Sequence, residues 1–419
     1  MGHTTIVEPG RVQSYRRKGI KQHLKNLLFD QLSNRFTFNQ TVPGAGDRSL
    51  PTTIVHKVSD SFREGEWKTT MISIRKPNAR VIAGPNSASG KEYKNTTKAV
   101  SIFYNVQRFP MAVKSKSVSG RTNNFYKIAE ATSDVISTLM GEQSEVDYDT
   151  AMIAGSEQGH WDAAAWENSE YGSDMDHPLE KVFHPNVYLW IAGAAVKNTW
   201  DPTYATALSN LETASDTEMD NGDGMTLAAV DKMHLICTRT IAPIGGLNGV
   251  SEIKWVVIMS DTAWFQLSQD SATNGARDLF KYTEKGYERI INGWGGVYKN
   301  MAFFVRQRQP LIDNTSGTLS VQYMGPWGDD RTPLEKASSD GTMEVTYVCG
   351  AGAWGLADIE DLDYEKEGKD YNFNSNMCGI RTKGVQRIDL DTTVAATANR
   401  VNESSFLFLT ATTSAAITT

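Results

Sequence analysis

The sequence predicts a fold of the α+β class. One long helical pattern occupies the stretch after residue 123, and the second half is rich in strand patterns. The strands and helices follow one another without regular βαβ alternation, which argues against a parallel α/β sheet. A third observation is a pair of strand patterns, near 67–74 and 100–106, joined by a turn-rich tip.

Taken in order, the first segment is basic. Arg11, Arg16, Arg17, Lys18, Lys21 and Lys25 outnumber Glu8 and Asp30. Leu24, Leu27, Leu28 and Leu32 then recur at helical spacing. This reads as an arm that gains order by lying on a partner; a frayed terminus with one amphipathic helix fits equally. Trp67 to Ile74 and Val100 to Val106 are strands, separated by the tip Ala83-Gly84-Pro85-Asn86-Ser87-Ala88-Ser89-Gly90. A lone hairpin is marginal in water, so this one needs a surface to lie against, and a neighbouring subunit is the natural candidate. Asn123 or Asn124 is placed to cap the long helix. Phe125, Ile128, Ala129, Thr132, Val135, Ile136, Leu139 and Met140 share its apolar face, and the pattern weakens past Gly141 toward Ala151 and Ile153. Glu130, Asp134, Glu142 and Glu145 make one side acidic.

Gly159 to Asp201 is dense in aromatic residues and reads as mostly irregular. A helix is expected from Met225 to Leu235. Ile253 to Met259 reads as a buried strand, with Ser260 or Asp261 capping a short helix through Gln269. Val297 to Arg306 and Met343 to Cys349 are further strands, and the Thr/Ala/Ser-rich tail beyond Arg400 either pairs as an edge or wanders.

Composition bounds the function classes. The chain has 419 residues, of which 40% are hydrophobic and 22% charged, ordinary values for a globular protein. Two or three domains, or one elaborated fold, are expected at roughly 100–200 residues each. The net charge of -7 argues against tight coating of nucleic acid, which needs clustered Lys and Arg. It fits a chain that faces DNA without adhering to it. No apolar run approaches the roughly 20 residues that span a bilayer, and no apolar core follows the basic N-terminus, so neither anchor nor signal peptide is expected. Cys237, Cys349 and Cys378 show no CxxC spacing, which suits a reducing compartment without a disulfide framework.

Candidate chemical motifs fail on context. Gly350-Ala351-Gly352-Ala353-Trp354-Gly355 matches GxGxxG after a strand, but acidic Asp358, Glu360 and Asp361 follow where a phosphate needs a helix N-terminus free of negative charge. Tight strand-to-turn packing is the expected role. Gly84 to Lys91 has the wrong spacing for a P-loop, with Glu92 where Ser or Thr is required. Asp220 to Gly224 resembles a calcium loop, yet Met219 and Val230 stand at its carboxylate positions. His160, His177 and His184 lie near Asp174, Asp176 and Glu180 without a metal-binding spacing. No nucleophile elbow occurs, and Asp147 with Asp149 is too common a pairing to signal glycosidase chemistry. No catalytic residue, cofactor or metal ligand is therefore assigned, and a non-enzymatic, structural role is expected.

Several stretches, in their order, carry a resemblance. Gly65-Glu66-Trp67-Lys68-Thr69-Thr70-Met71-Ile72-Ser73-Ile74-Arg75-Lys76-Pro77 is similar to an extended-loop strand. Trp255 to Asp261 with Trp264-Phe265-Gln266-Leu267 looks like a strand-then-helix, and Ile291 to Tyr298 like a glycine turn into a strand. Lys369 to Asn372, Gly379-Ile380-Arg381 and Gln386-Arg387-Ile388-Asp389 resemble a closing region. Together they resemble the major capsid proteins of tailed bacteriophages (the Johnson fold, shared with the herpesvirus capsid protein), most closely a podophage-type branch. The resemblance spans about Gln40 to Leu390.

The resemblance implies an N-terminal arm at 1–45, an extended-loop β-hairpin at 46–118, and a peripheral domain with the long spine helix at 119–235. An axial domain at 236–380 and return strands with a tail at 381–419 complete it. It implies self-assembly into hexameric and pentameric capsomers of an icosahedral shell around double-stranded DNA. The implied partners are other copies of the chain, a portal, scaffolding or decoration proteins, and DNA held non-specifically, with no membrane. The implied location is the virion, assembled in the host bacterial cytoplasm. Charge placement suggests inter-subunit contacts: Arg75, Lys76, Arg80, Lys91 and Lys94 near the hairpin would meet Glu130, Asp134 and Glu142 on a neighbour's helix. The runner-up reading is a carbohydrate-binding or carbohydrate-active protein, suggested by the 10 tryptophans. A dinucleotide oxidoreductase rests on the glycine run alone.

Overall fold

A computed structural model describes residues 28–29, 32, 54–58, 68–73, 98–103, 105–114, 118–154, 189–191, 224–244, 253–269, 294–306, 309–313, 320–323, 342–369, 374–388 and 404–411. The fold is α+β, as the sequence predicts.

The first strands are β1 (Val55–Val58), β2 (Lys68–Ser73), β3 (Lys98–Phe103) and β4 (Asn105–Lys114). β2 and β3 pair antiparallel, Lys68 opposite Phe103 and Ser73 opposite Lys98, which is the expected hairpin. Its tip lies outside the described residues. The long helix α1 (Val118–Ala154) begins five residues before Asn123, so neither asparagine caps it. It also continues through Gly141 without a break, because tertiary contacts hold its last turns.

The remaining elements are β5 (Leu189–Ile191), α2 (Leu227–Thr240), β6 (Trp255–Ser260), α3 (Asp261–Gln269), β7 (Trp294–Tyr298), β8 (Met301–Arg306), β9 (Pro310–Asp313), β10 (Ser320–Tyr323), β11 (Thr342–Cys349), β12 (Trp354–Lys369), β13 (Asn374–Arg387) and β14 (Ser405–Ala411). Local chemistry accounts for the helix starts. The Thr226 side chain accepts the Ala229 N–H at 3.3 Å, and Ser260 Oγ accepts the Ala263 N–H at 3.0 Å, each filling an otherwise unpaired first-turn donor.

Two further elements differ from expectation. Residues 297–306 form a hairpin and not one strand. Lys299 and Asn300 both take positive φ, 45° and 63°, the conformation of a tight two-residue turn; lysine there hides the signal. The tail strand β14 is buried throughout. It pairs antiparallel with β11 along seven residues and parallel with β5, so it is neither edge nor free tail.

The strands build two principal sheets. One has four strands in the order β1-β12-β13-β4. The other has eight, running β10-β9-β11-β6-β8-β7 with β14 and β5 on the far side of β11. Cores form on both faces of the large sheet, and side-chain parity sorts them. Val256 and Ile258 join Tyr148, Tyr347 and Trp354 on one face. Trp255, Val257 and Met259 join α2 and α3 on the other. Burial on both faces explains why β6 reads as an unbroken apolar run. β12 and all of β13 lie in the sheet with β4, and position 380 falls inside β13.

The glycine run follows β11. Gly352 has φ of 67°, and a Cβ on Gly350 would collide with the Ala242 carbonyl oxygen. The Gly350 and Ala351 N–H groups donate to Ser404 O at 2.8 Å and Ala242 O at 3.0 Å. The chain then enters β12, where a dinucleotide fingerprint requires a helix. The glycines serve close packing.

Candidate assembly surface around the long helix

The second half of α1 is buried on nearly every side. Residues 144–153 are all buried, polar ones included. Charged groups in such a place need partners, and both sheets supply them.

From the eight-stranded sheet, Arg306 on β8 forms a two-pronged pair with Asp149, Nη1 to Oδ1 at 2.6 Å and Nη2 to Oδ2 at 3.0 Å. Its Nη2 also lies 2.7 Å from Glu145 Oε2. Glu145 and Asp149 are one helical turn apart and so reach the same cation. The Tyr347 hydroxyl donates to Asp149 Oδ1 at 3.0 Å. Burial works to lower the pKa of Arg306, but the charges of Asp149 and Glu145 outweigh it and hold the guanidinium charged. The same centre fixes the N-terminal segment. The Leu28 N–H donates to Glu145 Oε1 at 2.9 Å, and the Arg306 guanidinium sits 5.0 Å from the Phe29 ring centre. Phe29 stacks on Tyr148 at 4.6 Å and meets Trp354 edge-on at 5.0 Å. Part of the leucine-spaced arm is thus an internal element of the fold.

From the four-stranded sheet, one face of β13 presents alternating cations. Arg381 donates to Met140 O and Asp147 Oδ2, each at 3.0 Å. Lys383 donates to Ser144 Oγ and lies 4.5 Å from the Tyr148 ring centre. Arg387 donates to Met152 O at 2.9 Å. Gly379 is on the same face, where a Cβ would meet Ile136 Cγ2 at 2.6 Å and Met140 Cε at 2.8 Å. The strand's period of two therefore sets a missing side chain and three cations beneath the helix. Gly379, Arg381 and Arg387 are among the residues that carried the resemblance.

The other side of α1 faces outward. Val135 and Leu139 are large apolar residues left 42% and 41% exposed. Helical geometry puts them on one stripe with Glu142, beside Asp134. Asp134 and Glu142 are half-buried. Glu130 lies in α1, while Arg75, Lys76, Arg80, Lys91 and Lys94 lie outside the described residues. Glu145, read from sequence as part of the acidic side, is turned inward to Arg306.

Sequence reasoning missed the buried ion pairs, although Asp147 and Asp149 stood out as an acidic pair. The available signal was the i, i+4 spacing of Glu145 and Asp149 in the long helix, with cations at alternate positions 381 and 383 of a strand. Among the described residues no cluster of three or more His, Cys, Asp or Glu is arranged to hold a metal ion. Nor is any described helix long and apolar enough to cross a membrane. His160, His177, His184 and the calcium-like loop positions 219–223 lie outside the described residues.

No family model and no curated protein matches this sequence. Solved structures do match. The capsid of Ralstonia phage GP4 is 12% identical, with a TM-score of 0.53 over 86% of this chain and 88% of that one. The Cyanophage Pam1 capsid asymmetric unit is 12% identical, with a TM-score of 0.53 over 87% and 90%. The head structure of Helicobacter pylori bacteriophage KHP40 is 12% identical, with a TM-score of 0.50 over 90% and 98%. The likeness spans 86–90% of this chain and 88–98% of those chains, and the chain has the phage capsid protein fold.

Proposed function

We propose that this chain is the major capsid protein of a tailed phage, of the podophage-type branch, and that it has no enzymatic activity. The observation that carries the reading is the likeness to phage capsid structures across 86–90% of this chain and 88–98% of theirs. Copies assemble into hexameric and pentameric capsomers of an icosahedral shell around double-stranded DNA. Heterologous contacts of this kind close into rings when the rotation between subunits divides the circle. The proposed location is the virion, after assembly in the host bacterial cytoplasm. Portal and scaffolding or decoration proteins are the further partners, and DNA is enclosed non-specifically.

Sheet membership guides the division into units. The peripheral unit is α1 with β1, β4, β12 and β13, and the axial unit is α2 and α3 with the eight-stranded sheet. The β2–β3 hairpin reaches a neighbouring copy. Its proposed seat is the outward stripe of α1, where Val135 and Leu139 give an apolar centre and Asp134 and Glu142 an acidic border, with Glu130 of the same helix as a further proposed contact. Arg75, Lys76, Arg80, Lys91 and Lys94 of the adjoining copy provide the opposite charge.

The test is electron microscopy with sizing chromatography on the protein expressed alone and with neighbouring virion genes. Rings, shells or tubes are expected; monomers in both preparations would overturn the reading. Reversing Arg75 and Lys76 to Glu is expected to impair assembly while the monomer stays folded. Unchanged shells would remove the hairpin contact and leave the capsid reading intact.

A further inference from the structure

Among the described residues, Glu344 is a buried ionisable side chain that neither the fold nor the assembly reading uses. It stands in β11 and is 2% exposed. Strand parity directs it to the same face as Thr346 and Val348, and its cross-strand neighbours are Thr410 on β14 and Leu311 on β9. Val348, Phe406 and Phe408 make that face an apolar core under α2 and α3. Side-chain hydrogen bonds join Glu344 to Ser260 and Thr262 at the start of α3. Ser260 is also the cap of that helix, since its Oγ accepts the Ala263 N–H. The carboxyl is therefore bonded to the first turn of α3, and its residue stands opposite Thr410 of the tail strand β14. Its Oε2 has no hydrogen-bond partner, and neither has Thr346 Oγ1 or Thr410 Oγ1 on the same face. A buried carboxyl with one oxygen unsatisfied is tolerable when neutral and costly when ionised. The charged group that bears on it is Asp261, exposed at the first position of α3. Asp261 carries the same sign and so opposes ionisation.

We propose that Glu344 is a proton-operated latch that holds the start of α3 against β11 and the adjoining β14 of the large sheet, closed with the carboxyl neutral and loosened when it ionises. Burial, then the charge of Asp261, pushes its pKa up from 4.5 to about 8, against the hydrogen bonds from Ser260 and Thr262. A carboxyl whose pKa is higher in the folded state keeps a proton that the unfolded chain releases. The stability it confers is therefore complete in acid, declines as pH rises above the unfolded value and levels off beyond about 8. The difference between 4.5 and about 8 sets the ceiling, a loss of up to about three-thousandfold in the ratio of latched to open forms.

The test is amide hydrogen exchange on the full chain at several values between about pH 5 and pH 9, corrected for the intrinsic rise of exchange with pH. In the wild type, amides of 405–411 and 261–269 are expected to lose protection as pH rises, while β12 and β13 keep theirs. In Glu344→Gln that local loss is expected to vanish. Equal loss in the variant, or loss spread evenly over both sheets, would overturn the proposal. Infrared spectroscopy of the wild type is a second measurement, independent of how the variant folds. A protonated-carboxyl band that disappears as pH is raised through about 8 is expected, and its absence at neutral pH would refute the latch.

Discussion

Replacing Arg306 with Met tests the account of the long helix most severely. The guanidinium is the shared cation of Glu145 and Asp149, at 2.7, 2.6 and 3.0 Å, and all three groups are buried. Methionine fills similar space but leaves two carboxylates in a dry site without a cation. Removing one partner of a buried pair costs about 3–5 kcal/mol, because the remaining charge is uncompensated. The expected loss for Arg306→Met at neutral pH lies in that range, read as a lower urea midpoint from tryptophan fluorescence of the unassembled protein. Two further outcomes separate electrostatics from packing. The deficit relative to wild type should shrink as pH falls, because a carboxyl beside a like charge takes up a proton more readily when buried. Adding Glu145→Gln and Asp149→Asn should restore most of the stability, since exchanging a whole buried ion cluster for neutral groups is often close to neutral. Gln and Asn keep acceptors for the Leu28 N–H and the Tyr347 hydroxyl. A single variant as stable as wild type, or a triple variant no better than the single, would refute the reasoning.

Two more outcomes follow from packing. Gly379→Ala is expected to cost about 1–3 kcal/mol, because its methyl would fall 2.6 Å from Ile136 Cγ2 and 2.8 Å from Met140 Cε; thermal unfolding of the unassembled subunit measures it, and an unchanged midpoint would show that α1 shifts freely on β13. In the native protein a thiol reagent should label Cys378, which is half-buried, and spare Cys237 and Cys349, which are fully buried and whose pKa values burial raises. Counting modified cysteines before and after denaturation checks this, with early labelling of Cys237 as the contrary result.

Much of the architecture was legible because it is local. Continuous apolar residues at 255–259 announce a strand buried on both faces, Ser260 is a helix cap by its chemistry, and the strand patterns at 67–74 and 100–106 announce the hairpin. The order of these parts carried the resemblance to the capsid fold. The acidic residues of the long helix were legible as a list, but sequence spacing could not say which face each would occupy. Glu145 differs from Glu142 only in its position around the helix, yet one is turned into a buried ion cluster and the other is half-buried beside the exposed Val135 and Leu139.

What the sequence by itself determined is the kind of fold, the principal helices and strands, and the absence of any recognisable catalytic motif. Each depends on periodicity, capping or composition within about 15 residues. Tertiary structure alone decided that the tail strand pairs with β11 at the centre of the large sheet, that Lys299 and Asn300 turn the chain back on itself, and that Arg306 and Arg381 hold the helix between two sheets. The partners in these contacts are 157 and 234 residues apart for Arg306–Asp149 and Arg381–Asp147. No local pattern specifies a pairing at that distance; it is fixed by the arrangement that gives Arg306 and Arg381 buried counter-charges.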